Sequence, residues 1–200
     1  MEQEKTHSVN EHNYSDRESG TFGGLMLSLR EYRDRLEVHR GFKLNSKPRE
    51  LDCLIIDKKD DAEPMDNDIA RIFAKHNIVE LKNPFEPLTV DTVWKVISYA
   101  AQYKSSGKRL DEIKTEDVTI TILRASRPRK ALKMLKKSGY KVDNTYPGIY
   151  YISGMADFRT QIVVSSELEG DEFVPLRIQR LGADNKDIQV FQAIYISEYT

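Results

Sequence analysis

From Thr89 to about Lys104 the apolar residues Val90, Val93, Trp94, Ile97 and Ala101 return at helical spacing behind a threonine suited to cap them. This segment constrains the fold more than any other, because short runs that read as strands lie on either side of it. Ile78-Val79-Glu80-Leu81-Lys82 precedes it, with Pro84 and Pro87 breaking the chain between them, and Val118 to Leu123 follows it. Leu51 to Ile56, interrupted only by Asp52, is a further apolar run that fits a buried strand. Leu25, Leu29, Tyr32 and Leu36 predict a first helix, leading to a strand over Glu37 to Leu44 and a turn at Ser46-Lys47-Pro48. Asp66 to His76 has helix character, with Ile69, Ile72 and Phe73 on one side. Pro128 to Ser138 reads as a basic helix closed by Gly139, Gly148 to Ser153 and Thr160 to Ser165 as strands, and Asp184 to Tyr199 as a final helix. Strands interleaved with helices predict an α/β fold with a central mixed sheet.

Two hundred residues suit one domain of ordinary size with tails. We read residues 1–22, rich in Glu, Asn, Ser and His, as a disordered leader dispensable for folding, 23–182 as the domain, and 183–200 as a C-terminal helix that can continue past the last residue given. The 31 Lys and Arg against 32 Asp and Glu leave a net charge of −1, so any anion-binding surface must be local. With Cys53 as the single cysteine, an internal disulfide and a cysteine zinc site are both excluded, which fits a reducing compartment. No apolar run approaches the roughly 18 residues of a membrane span, and the first twenty residues lack the apolar stretch of a secretory signal. The expectation is a cytoplasmic protein without membrane contact. A homodimer is one arrangement the sequence leaves open.

The chemistry lies in two of the strands. Alternation puts Glu80 and Lys82 on one face of an otherwise apolar strand, and burying charge costs several kcal/mol unless it is paired or bound to a metal. Asp52 raises the same problem on the earlier strand. If the two strands are neighbours, the carboxylates of Asp52 and Glu80 converge, and a divalent cation between them removes their repulsion. Oxygen ligands with no His or Cys nearby favour Mg²⁺, with Mn²⁺ as substitute, over zinc. The reaction that follows is phosphodiester hydrolysis, with Lys82 orienting the water or stabilising charge on the phosphate. An exposed salt bridge is the alternative reading of the same triplet.

Leu51-Asp52-Cys53-Leu54-Ile55-Ile56 followed by Val79-Glu80-Leu81-Lys82 resembles the bipartite signature of the PD-(D/E)XK nuclease superfamily. More narrowly, the stretch from Arg30 to Gly154, with Asn77-Ile78-Val79-Glu80-Leu81-Lys82-Asn83-Pro84-Phe85 and Ser98-Tyr99-Ala100-Ala101-Gln102-Tyr103, resembles bacterial proteins of its transposase-associated, recombination-promoting branch. Leu51 stands where the family name has a proline, and the helix expected over Asp66 to His76 would be an insertion between the motif strands. The resemblance implies a restriction-endonuclease-like core and a DNA endonuclease linked to mobile elements or recombination. It also implies Asp52 and Glu80 as metal ligands, Lys82 as the residue that assists the water, and no small-molecule cofactor. A nuclease-derived module that binds nucleic acid without turnover, or a protein-interaction domain, are the alternatives.

Two supporting residues, Gln102 and Glu31, follow from the same resemblance, and the others are read from the residues themselves. Related nucleases place a glutamine or lysine of the long helix near the scissile phosphate, which Gln102 resembles; Lys95, Tyr99 and Gln102 share a stripe that can otherwise be a solvated face. Glu31 is a candidate for an extra acidic metal ligand, with Glu37 as its competitor and a surface Glu-Arg pair as the plainer reading. Arg124, Arg127, Arg129, Lys130, Lys133, Lys136 and Lys137 form the concentrated basic region, suited to backbone phosphates or to solvent. Tyr146, Tyr150 and Tyr151 can stack on bases or pack in a core. His7, His12, His39 and His76 lack metal-ligand spacing, and His76 reads as a helix-terminal residue.

Overall fold

A computed structural model describes residues 20–40, 53–59, 65–82, 86–178 and 185–199. Within them lies a seven-stranded mixed sheet flanked by helices, the expected α/β class. Its strands are β1 (Leu36–Arg40), β2 (Leu54–Lys58), β3 (His76–Lys82), β4 (Val118–Arg124), β5 (Lys141–Tyr146), β6 (Ile149–Ser153) and β7 (Arg159–Val164). They are ordered β1-β2-β3-β4-β7-β6-β5, with β3, β4 and β7 parallel and the remaining neighbours antiparallel. The helices are α1 (20–28), α2 (Val90–Lys104), α3 (Arg129–Lys137), the short α4 (Val174–Arg177) and α5 (Asn185–Tyr199).

The pleat divides the core in two. On one face Ile55, Ile78, Ile120, Ile122 and Ile162 meet α2 and α3 through Val93, Val96, Ile97, Leu132 and Leu135. On the other, Leu54, Ile56, Val79, Leu123 and Val163 meet Leu25 of α1 and Leu29 just past its end, together with Phe73 and Phe173. Burial on both faces explains why β4 lacks alternation: all seven of its residues are buried.

Helix α2 begins where its cap predicts. Thr89 Oγ1 accepts from the Thr92 amide at 3.1 Å while Thr92 Oγ1 accepts from the Thr89 amide at 3.2 Å, a reciprocal capping box. Its buried stripe is rotated from the one expected: Val93, Val96, Ile97, Ala100 and Tyr103 face inward, whereas Trp94 is 41% exposed and Ala101 lies on the surface. Trp94 instead meets Tyr140 edge-on, with ring centroids 6.5 Å apart.

Other elements also depart from expectation. The first helix stops after residue 28 and continues as a 3₁₀ helix over Arg30–Arg35, and β1 starts at Leu36. The described chain is helical from residue 20, ahead of the boundary expected at 23. The Ser46-Lys47-Pro48 turn falls outside the described residues. Lys141–Tyr146 is a strand that the periodicity did not reveal, because it is an edge strand with a polar sequence.

The helix expected over Asp66 to His76 does not form. A single 3₁₀ turn, Ala70–Ile72, is present, and His76 opens β3 rather than closing a helix. Sheet side chains hold this segment instead. Asn77, fully buried, donates to the carbonyls of Ile56 and Ala74 at 2.8 and 2.9 Å, and its Oδ1 accepts from the Ala74 amide and from Thr119 Oγ1. Gln161 Nε2 donates to the Ile69 carbonyl at 2.8 Å and to Thr121 Oγ1 at 2.9 Å. Asn67 Oδ1 accepts from the Ile69 and Ala70 amides, and its Nδ2 donates to the Ser28 carbonyl. The backbone groups that a helix would pair internally are thereby satisfied from outside.

Removing Asn77 leaves several buried groups without partners. Asn77→Ala is expected to destabilise the chain by about 3 kcal/mol, read from the denaturant midpoint at unchanged slope.

Candidate active site

Glu80 and Lys82 stand at the carboxyl end of β3, a strand paired with antiparallel β2 on one side and parallel β4 on the other. Alternation turns both toward the face covered by α2 and α3, in line with Ile78, while Val79 and Leu81 pack on the opposite face. Only 2% of the Glu80 side chain and 12% of the Lys82 side chain are exposed. Lys82 Nζ lies 2.7 Å from Glu80 Oε1 and 3.3 Å from Glu86 Oε2, the latter on the stretch leading to α2. The exposed-salt-bridge reading is therefore excluded: this pair is inside the protein.

Burial, the largest influence on the Lys82 ammonium, would lower its pKa, yet the hydrogen bond and charge of Glu80, with Glu86 adding to them, leave it raised above the usual lysine value. Lys82 is thus an ammonium at neutral pH, a donor of hydrogen bonds rather than a base. With the folded pKa above the unfolded one, its stabilising contribution is complete below about pH 10 and is lost as pH rises through the higher, folded value.

Asp52 lies outside the described residues. The described part of β2 begins at Leu54, which pairs with Val79, the residue before Glu80. Cys53, immediately before Leu54, is buried. Among the described residues no cluster of three or more His, Cys, Asp or Glu side chains is placed to hold a metal ion. Among the described residues the carboxylates at this edge are Glu80 inside and Glu86 at the rim, oxygen donors suited to a hard cation.

Arg124 ends β4 in register with Lys82 and on the same face. It is 7% exposed, and its Nε has no hydrogen-bond partner among the described residues; one terminal nitrogen donates to Ser126 Oγ at 3.3 Å. Burial pushes its pKa below the ordinary arginine value. Past Arg124 the chain turns through Arg127 into α3, whose side facing β5 and β6 closes a groove of about 440 Å³. Arg127, Arg129, Lys133 and Lys136 line it together with Asn144 and Tyr150. Lys130 is exposed on α3 but does not line the groove.

Gln102 and Glu31 are not brought to Glu80. Helix α2 runs back along the sheet, so its last turn lies at the opposite end of β3, where the Tyr103 hydroxyl is 3.0 Å from His76 Nδ1. His76 and Glu80 are four residues apart on the strand, about 13 Å. The Gln102 carboxamide donates to the Ser98 carbonyl one turn earlier. Glu31 is exposed, and its neighbours Leu29 and Tyr32 join the cluster on the opposite face of the sheet. Glu37 is exposed as well, 3.7 Å from His39.

Nor is Tyr150 available for stacking. It is 3% exposed, its hydroxyl donates to Glu167 at 2.5 Å, and burial followed by that bond pushes its pKa up to about 12. At the far end of β3, His76 Nδ1 lies 2.7 Å from Asp57 Oδ1, and His39 Nε2 lies 3.4 Å from Asp57 Oδ2, a polar clip across β1, β2 and β3. Sequence reasoning missed Glu86, Asn144 and this clip. Glu86 carried a usable signal, an acid between Pro84 and Pro87 four residues from Lys82.

No helix among the described residues is long and apolar enough to cross a membrane. Comparison of the chain with protein-family models, with curated proteins and with solved structures gave no match.

The buried pair makes a stability prediction. Lys82→Ala leaves Glu80 with its charge inside the protein and should cost about 3 kcal/mol in chemical denaturation, whereas Glu80→Gln combined with Lys82→Met should recover most of that loss.

Proposed function

We propose that the chain is a metal-dependent nuclease of the PD-(D/E)XK type that hydrolyses phosphodiester bonds in DNA. We place it in the transposase-associated, recombination-promoting branch, with a restriction-endonuclease-like core, acting in the cytoplasm. The observation that carries the reading is the Glu80–Lys82 pair, buried side by side on one face of a central strand whose antiparallel neighbour begins two residues after Asp52. A chain has little stability reason to keep such a pair, since a hydrophobic pair of similar volume is often neutral or stabilising in its place. Chemistry supplies the reason.

In this reading Asp52 and Glu80 hold Mg²⁺, or Mn²⁺ in its place. Bound there, the ion lowers the pKa of the attacking water and neutralises charge building on the phosphate. Lys82, kept as an ammonium by its two carboxylate neighbours, donates to the water or to a phosphoryl oxygen. Glu86 limits how far the Lys82 head can swing. Arg124, one strand away, presents a second cation to the phosphate. Gln102 and Glu31 have no part in this mechanism.

A module that holds nucleic acid without cleaving it is the second reading, favoured by the separation of the basic groove from Glu80. It predicts salt-sensitive binding with no metal-dependent cleavage. The first reading predicts nicking or cutting of plasmid DNA that requires Mg²⁺ or Mn²⁺ and falls at least ~100-fold in both Asp52→Asn and Lys82→Met, with circular dichroism unchanged. Cleavage that survives chelation, or persists in both variants, contradicts the assignment.

A further inference from the structure

We infer that the groove between α3 and the β5–β6 hairpin is a distal phosphate track, which holds the backbone of a nucleic-acid strand away from the reactive centre and makes a polymer, not a small phosphodiester, the substrate. The inference rests on the nucleic-acid reading above but not on turnover.

Register across the sheet gives the geometry. Glu80, Ile122, Ile162, Tyr150 and Asn144 form one row over β3, β4, β7, β6 and β5. The groove floor at Tyr150 is therefore three strand spacings from Glu80, about 14 Å, on the same face of the sheet. Ile122 and Ile162 between them are buried beneath the helices, so a strand joining Glu80 to the groove passes along the carboxyl edge of the sheet. With stacked nucleotides advancing about 3.4 Å each, that path takes at least about four of them. Arg124 lies along it, one strand spacing from Lys82, with its buried Nε lacking an acceptor among the described residues.

The groove wall has the charge a backbone requires. Arg129, Lys133 and Lys136 follow one side of α3 at rises of about 6 and 4.5 Å, so together they span about 10 Å, or roughly three nucleotides. All three are exposed, and among the described residues none has a carboxylate within salt-bridge distance. Nothing acidic lies in the first turn of α3. Arg127 is fixed differently: its guanidinium lies 5.3 Å over the Tyr150 ring, and its Nε is 3.6 Å from Glu167, the carboxylate that also takes the Tyr150 hydroxyl. A partner with scattered carboxylates meets these cations one at a time, whereas a continuous phosphodiester backbone can meet all three together, and the chain that carries them enters α3 directly from Arg124, the β4 neighbour of Lys82.

The test uses the full chain in chelator, where no cleavage can occur, with a labelled 20-nucleotide single strand followed by fluorescence anisotropy from 50 to 200 mM salt. Lys133→Ala with Lys136→Ala should weaken binding at least ~5-fold and lower the slope of log K against log salt by about 1.4. Lys133→Arg with Lys136→Arg should restore both, and circular dichroism should be unchanged, because the two side chains are on the surface. Polyglutamate of equal charge and inorganic phosphate should compete weakly. Equal binding by wild type and the double alanine variant overturns the track, and polyglutamate binding as tightly as DNA overturns the nucleic-acid assignment. Wild-type binding without cleavage when Mg²⁺ is restored would leave the track standing and remove the nuclease reading.

Discussion

The site depends on an ionic contact inside the sheet, the 2.7 Å pairing of Glu80 with Lys82 on β3. Neither charge can be tolerated alone at that depth, so the two must be placed together, and a β-strand does this at the smallest possible separation that keeps both on one face. The strand must then be central, with hydrophobic neighbours to exclude water around the pair. Isoleucines of β2, β3, β4 and β7 and the inner face of α2 meet that requirement.

The opposite face is organised by hydrogen bonds as much as by apolar packing. Asn77, Thr119, Thr121 and Gln161 are buried there and tie the 65–75 segment to the sheet through its own backbone. One side of the sheet thus carries the charged chemistry and the other anchors an irregular crossing between β2 and β3. Rigidity on the anchored side helps hold β3 in the alignment that keeps Glu80 and Lys82 in contact. At the carboxyl ends of β3 and β4, Lys82 and Arg124 stand side by side, and the chain past Arg124 leads through Arg127 into the groove beside α3.

Legibility in the sequence followed the strength of local physical signals. The α2 cap at Thr89, the β-branched run of β4 and the strand bearing Glu80 and Lys82 were readable because each is set by neighbours within a few residues. The Asp66 to His76 stretch was misread because Ile69, Ile72 and Phe73 have helical spacing, while the partners that decide its conformation, Gln161 and Asn77, act from strands distant or not yet formed in a local reading. The inward stripe of α2 was displaced because Trp94 scores as a buried residue by type, yet packs on Tyr140 at the surface. Gln102 was assigned to the site by resemblance to related nucleases, and that resemblance does not fix which end of the sheet the last turn of α2 reaches. Glu80 and Lys82 were placed together correctly; whether Asp52 joins them is the question on which the chemistry turns.

Binding of Mn²⁺ by the full chain, followed by the loss of its free electron paramagnetic resonance signal, tests that question most directly. The account predicts saturable binding to wild type that is abolished in Glu80→Gln and in Asp52→Asn and retained in Lys133→Ala. Absence of Mn²⁺ binding, or binding that survives both carboxylate substitutions, would contradict it.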